Sequence, residues 1–246
     1  MTEVHLAILT HMLTCIKKVR FLITLSNLAH LRSEIIPQLI SQFESSFSVK
    51  LTDESKTIRD VLSQIDARLF QSYVKPIVDV LQTTITAGIT SKAWAPSAGR
   101  PTDAQPYIYD VLLALVLVHS EVSTTAASLT NQILSYLLEQ SSLALIAAFK
   151  QRQRYTLPAL MQATLDVEFM AQTLNNYTTD RASEVQSHVY LALDERTDND
   201  ARARLESELP EMRAVLKKLR EGTKGEFGCF KRERRGRERA VSSRGG

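Results

Sequence analysis

The sequence predicts an all-α fold built from several packed helices. Three observations predict it. The 246 residues hold only 8 glycines and 7 prolines, against typical usage of about 7% and 5%, whereas a β-sandwich or barrel needs a turn roughly every ten residues. Apolar residues recur at helical spacing along most of the chain. Residues suited to starting and stopping helices bracket those periodic runs. Apolar content of 44% supplies a core, and two cysteines, Cys15 and Cys229, exclude a disulfide framework and fit a reducing compartment.

The elements follow in order. A first helix is predicted over 4–31 and a second over 34–48, where Ile36, Leu39, Ile40, Phe43 and Phe47 form one stripe. Pro37 falls in that helix's first turn, where its missing N–H costs little. A third helix, 53–75, carries Ile58, Val61, Leu62, Ile65, Leu69 and Tyr73 on one face. Thr52 is its expected cap, with Asp53 and Glu54 at the positive end of the dipole. Pro76 predicts a break or kink, followed by a helix over 77–88 with Gly88 as its stop. Each stripe should meet a neighbouring helix.

The stretch 90–106 holds three prolines, a glycine and Trp94, and is long for a loop inside a compact domain. It is the expected linker between two bundles, 1–89 and 107–220. Thr102 and Gln105 have capping-box spacing. The helix over 107–123 is apolar on nearly every side, which predicts a central helix covered all round. Its longest unbroken apolar run, Val111–Val118, is eight residues, short of the roughly 20 of a membrane span. Helices over 127–152, 156–177 and 181–193 follow, the last capped by Asp180. A final helix over 198–220 carries Leu205, Leu209, Met212, Leu216 and Leu219, a narrow 4-3-4-3 seam for one partner helix.

Charge is unevenly placed. The net charge is +3, but 217–246 carries +7 and the rest of the chain −4. The basic balance therefore belongs to the C-terminal segment, and no nucleic-acid-binding domain is expected. Residues 221–246 are expected to form a disordered tail. Lys231, Arg232, Arg234, Arg235, Arg237 and Arg239 would draw it to an anionic membrane, at about 1 kcal/mol per charge. Phe227, Phe230 and Cys229 would add insertion or a reversible acyl anchor. A solvated, unordered tail is the plainer reading of the same residues.

Catalytic chemistry finds no constellation. His5, His11, His30, His119 and His188 include no pair four apart, so no zinc-protease spacing exists. His11 and Cys15 are four apart, but zinc needs at least three protein ligands. Nucleophile-elbow and phosphate-loop motifs are absent; Gly222, Gly225 and Gly228 follow a helix rather than a strand. Glu206 and Glu208 fit a solvated helix face. Glu168, within LDVEFM, is the expected partly buried carboxylate, with a structural hydrogen bond as its role. Asn176-Tyr177-Thr178 is a glycosylation sequon, read as chance. No catalytic residue, metal, cofactor or small-molecule substrate is predicted.

Three blocks carry a family resemblance: LITLSNLAHLRSEIIPQLISQFESSFSVKLTDESKTIRDVLSQIDARLFQSYVKP (Leu22–Pro76), GRPTDAQPYIYDVLLALVLVHSEVS (Gly99–Ser123) and LMQATLDVEFMAQTLNNYTT (Leu160–Thr179). In order and spacing they resemble the C-terminal region of the exocyst component two (Sec-five) family, over roughly residues 15–220. LTDESKTI and RPTDAQPYIYD are the most specific pieces. The resemblance implies an elongated stack of antiparallel helical bundles, the rod of tethering complexes. It implies a non-catalytic scaffold that tethers secretory vesicles to the plasma membrane before SNARE-mediated fusion. Other exocyst subunits are the implied partners, and the implied location is cytoplasmic, peripheral at sites of secretion. Ral GTPase binding is not expected, because the family's immunoglobulin-like domain is not in these 246 residues. The alternative reading is a membrane-surface module acting through its polybasic tail.

Overall fold

The computed structural model describes residues 18–94 and 99–231. The all-α expectation holds. Among the described residues there is no strand, only an isolated bridge between Tyr155 and Thr197. The helices are α1 (18–30), α2 (Ile36–Phe47), α3 (Thr52–Thr90), α4 (Pro106–Thr125), α5 (Thr130–Lys150), α6 (Leu157–Thr173), α7 (Asp180–Asp194) and α8 (Asn199–Gly222).

The predicted separation of the first two helices does not occur. A π turn, Leu31–Ile35, joins α1 to α2, with Ile36 N–H bonded to the Leu31 carbonyl. Its wider ring lets the helix continue into Pro37, whose nitrogen cannot donate to Ser33. Ser48, at φ 52°, ends α2 in the left-handed region and turns the chain back. Thr52 is not the cap of α3. That position is Leu51, whose own N–H donates to Glu44 Oε1 at 2.8 Å.

Pro76 does not break α3, which runs through it for 39 residues. Both Ser72, whose carbonyl loses its partner, and Pro76 face water, so the orphaned oxygen stays solvated. Tyr73, Val74, Ile77 and Val78 on either side are buried and hold the helix continuous through the gap. Gly88 is likewise no stop, since α3 continues to Thr90. Arg152 terminates α3 instead. It donates from Nε and Nη2 to the Ile89 carbonyl at 3.1 and 2.7 Å and from Nη2 to Ser91 O at 3.1 Å, while its guanidinium lies 4.6 Å from the Trp94 ring centroid.

The helices stack with alternating direction. Gly88 faces Tyr107 at one end of the α3–α4 pair, and Glu121 lies near Tyr73 at the other. α5 runs back along α3, from Phe70–Tyr136, with ring centroids 5.3 Å apart, to Arg152 beside Ile89. α7 packs on α5, tied by Arg181–Glu139 at 2.9 Å, and α8 lies along α6 through Met212 and Leu216. The α8 seam thus meets one partner helix, as its spacing predicts. One apolar cluster runs from Leu22 to Phe230 and includes Trp94 and Ala104 from the stretch read as a linker.

α4 is not covered all round. Ile108, Val111, Leu112, Leu115 and Val122 are buried, while Leu113 and Leu117 are 48% and 72% exposed. Two helical segments, Pro106–Thr125 and Ala127–Lys150, are long and apolar enough to cross a membrane by length and composition. Counting unbroken runs misses them, because isolated polar and charged residues, such as Asp110 and Glu121 in the first and Glu139 in the second, interrupt the runs while the mean hydropathy stays high. Both pack against other helices of the bundle, the second mostly buried and the first only on one side.

Candidate interaction surfaces

The first surface is built by α2 and the N-terminal half of α3. Neither buries a residue: α2 has none, and the first buried position on α3 is Tyr73. Leu39, Phe43 and Phe47 on α2 are 55%, 45% and 64% exposed, and Ile58, Val61 and Ile65 on α3 are 38%, 49% and 43% exposed. Leu69 and Tyr73, at the end of the α3 stripe, reach the core, but these six residues are left exposed among the described residues. The Phe43 and Phe47 rings lean on each other, with centroids 4.6 Å apart. Beyond the Glu44 bond across the turn, an ion pair, Arg32–Asp66 at 3.7 Å, joins the π turn to α3. Scattered apolar residues are ordinary on a protein surface, but two helices in succession that each expose a stripe of large apolar residues are candidates for an interface.

The second feature is a buried carboxylate. Asp166, on α6, is 0% exposed and accepts four hydrogen bonds: from Trp94 Nε1 at 3.3 Å, Gln105 N at 2.9 Å, Tyr107 Oη at 3.0 Å and Gln162 Nε2 at 2.8 Å. Gln162 also donates to the Asp103 carbonyl at 3.0 Å. Burial pushes the Asp166 carboxyl up to about 6, and the four donors work against that rise. Every donor belongs to the protein, so this group clamps the 94–107 stretch onto α6 rather than acting on a ligand. The expected capping box at Thr102 and Gln105 does not form, since the Gln105 N–H goes to Asp166.

Glu168 is half-buried, as expected, and accepts from Tyr190 Oη at 2.6 Å and Gln172 Nε2 at 2.9 Å. Sequence reasoning missed the deeper Asp166. The available signal was Gln162 four residues earlier on the same apolar face. Asp180 is not the α7 cap; Thr179 is, accepting from Ala182 N at 3.1 Å. Nor is Glu208 simply solvated: Arg100 Nε donates to it at 2.7 Å.

The third feature is the C-terminal segment. Residues 223–231 are not a free tail. Phe227 and Phe230 are 5% and 1% exposed. Phe230 meets the His119 and Tyr177 rings edge-on, and Phe227 packs on Tyr109 and Phe169. Asn176, read as a chance sequon, donates from Nδ2 to the Phe230 carbonyl at 2.8 Å and anchors the segment. Both phenyl rings are thus spent on the core and unavailable for membrane insertion. Cys229 is free and half-buried, with its thiol pushed up by desolvation. His119 is held below its usual value by burial. Lys231 is exposed, whereas Arg232, Arg234, Arg235, Arg237 and Arg239 lie outside the described residues, as do His5, His11 and Cys15. Among the described residues no three His, Cys, Asp or Glu side chains converge as metal ligands.

Comparison with known proteins gives one family. The profile described as exocyst complex component Sec5 matches residues 7–230. Exocyst complex component 2 of Homo sapiens is 27% identical over 164 residues, covering 65% of this chain and 17% of that protein. The protein of the same name from Mus musculus is 27% identical over 165 residues, with the same coverage. The chain therefore spans about a sixth of the length of these relatives. No solved structure matches.

Proposed function

This chain belongs to the exocyst complex component Sec5 family, and from that membership we propose that it is a non-catalytic scaffold whose exposed helix faces contact other exocyst subunits. In this reading it helps hold secretory vesicles at the plasma membrane before SNARE-mediated fusion, from the cytoplasmic side. The observation that carries the scaffold reading is the exposed apolar residues of α2 and the first half of α3: Leu39, Phe43 and Phe47, and Ile58, Val61 and Ile65. A stable contact buries about 1,600 Å² in total, so positions beyond these six would contribute to it. Tagged chain expressed in cells should co-purify with exocyst subunits under gentle salt. Recovery of the chain alone would remove the scaffold role.

A second reading keeps the membrane surface as the target of the basic residues beyond 230. Seven Lys and Arg against two Glu between Cys229 and Arg244 favour it. Salt separates the two. Tail-driven binding weakens as the Debye length shortens from about 10 Å at 0.1 M to 3 Å at 1 M, whereas apolar helix contacts persist.

A further inference from the structure

We propose that the cavity where the ends of α6 and α8 meet the 223–231 segment is a binding site for a small anion carrying two or more phosphate groups. The cavity holds about 490 Å³ and is lined by Lys217, Arg220, Lys224 and Lys231, with Glu221 as its only acidic residue. That volume falls in the roughly 300–1,000 Å³ range of ligand clefts. The rim therefore carries four cations against one carboxylate.

Sequence and tertiary structure both build it. Lys217 and Arg220, three apart, share one side of the last turns of α8, and Lys224 follows in the turn just past its end, where it also lines the cavity. Lys231 comes from the other side. It reaches the cavity only because Phe227 and Phe230 are buried and Asn176 holds the Phe230 carbonyl. Favourable placement of cations at a helix C-terminus accounts for Lys217 and Arg220. It does not account for Lys231, or for a cavity between them. None of the four makes an ion pair among the described residues, whereas Arg32, Arg100, Arg181, Arg196 and Arg202 each do. Arg220 donates from Nη1 to Gln172 Oε1 at 3.0 Å, which fixes its guanidinium and leaves its other donors for a ligand.

The chemistry selects phosphate. An Arg fork and three Lys ammonium groups suit the several oxygens of clustered phosphates. Single-stranded nucleic acid fits poorly, because it is held by stacking on exposed aromatic rings and the one ring here, Phe227, is buried. The proposal does not depend on the tail beyond 231 or on assembly with other subunits. The phosphates could sit on a soluble polyanion or on a lipid headgroup, which are the same chemistry to these four side chains.

The test titrates the full chain with inositol hexakisphosphate by calorimetry, and floats it with phosphatidylcholine vesicles with and without a polyphosphoinositide. Saturable one-to-one binding is expected, with a rise in Tm. A doubly reversed Lys217→Glu/Lys224→Glu variant should lose roughly tenfold or more in affinity with an unchanged far-ultraviolet spectrum, because both residues are exposed. Removal of 232–246 should leave soluble binding intact. Flotation of the chain lacking 232–246 on polyphosphoinositide vesicles, lost in the double variant, identifies a lipid headgroup as the source; soluble binding without that flotation identifies a free polyphosphate. No heat and no Tm shift at millimolar probe would overturn the proposal. So would binding indifferent to the double variant, or soluble binding lost with residues 232–246.

Discussion

Gly88 on α3 touches Tyr107 at the start of α4: a Cβ built on Gly88 would lie 2.4 Å from both Cβ and Cγ of Tyr107. No rotamer change relieves a contact at the root of the Tyr107 side chain. The two backbones approach this closely because position 88 has no side chain, and that approach brings the Tyr107 hydroxyl to Asp166.

Gly88→Ala should therefore destabilise the protein, although alanine is about 1 kcal/mol better than glycine inside a helix. Overpacking costs typically 1–3 kcal/mol, and here the backbone must move. A fall in the urea midpoint at unchanged m-value is the expected outcome. A rise would mean that the crossing is looser than described.

Asp166 gives a pH dependence. Its carboxyl stands at about 6 in the fold against an ordinary value of 3.8, so between those values the folded state binds more protons than the unfolded one. The sign follows: this group's contribution is most favourable below about pH 4 and is lost as pH rises toward 6 and beyond, by up to about 3 kcal/mol. Urea midpoints of the native protein and Asp166→Asn, compared at each pH, isolate it. The native minus variant difference should fall from acid to neutral pH, and a flat difference contradicts the assignment.

Asp166→Ala tests the clamp itself. It would strand the Trp94 and Gln105 N–H groups, each at about 1–3 kcal/mol. Hydrogen exchange of the Gln105 amide should rise sharply, with α7, which does not touch the network, left protected.

The docked C-terminal segment predicts a thiol readout. Phe230→Ala should cost about 3–5 kcal/mol and release Cys229 to solvent. In a Cys15→Ser background, the reaction of Cys229 with a disulfide reagent should accelerate in the variant. An unchanged rate would place Cys229 outside the packed segment.

The α2–α3 face should separate stability from assembly. Phe43→Glu combined with Val61→Glu changes two exposed positions, so stability should stay within about 0.5 kcal/mol per substitution. Co-purification of exocyst subunits should be lost. Retained capture would move the interface elsewhere.

Legibility differed from element to element. The α8 seam was readable because Leu205 to Leu219 repeat at a spacing that only a helix facing one partner produces. The α2 stripe was equally readable, but its neighbour was not, because a stripe states that a face is apolar and not what covers it. Pro76 misled because a proline penalty is local, while burial of Tyr73, Val74, Ile77 and Val78 against other helices offsets it. Phe227 and Phe230 misled because a Gly- and Arg-rich setting looks solvated until Tyr109, Phe169 and Tyr177 are brought to them.

By itself the sequence determined the helices, their apolar faces, the basic C-terminal charge and the three blocks that carry the family. These are properties of neighbours within a turn or two, fixed by 3.6-residue periodicity and side-chain chemistry. Tertiary structure alone decided that Asp166 rather than Glu168 is the deeply buried carboxylate, that Gly88 is a crossing and not a stop, and that Lys231 joins Lys217 around a cavity. Each joins residues far apart along the chain or set on different helices, and no local pattern encodes which distant side chain arrives.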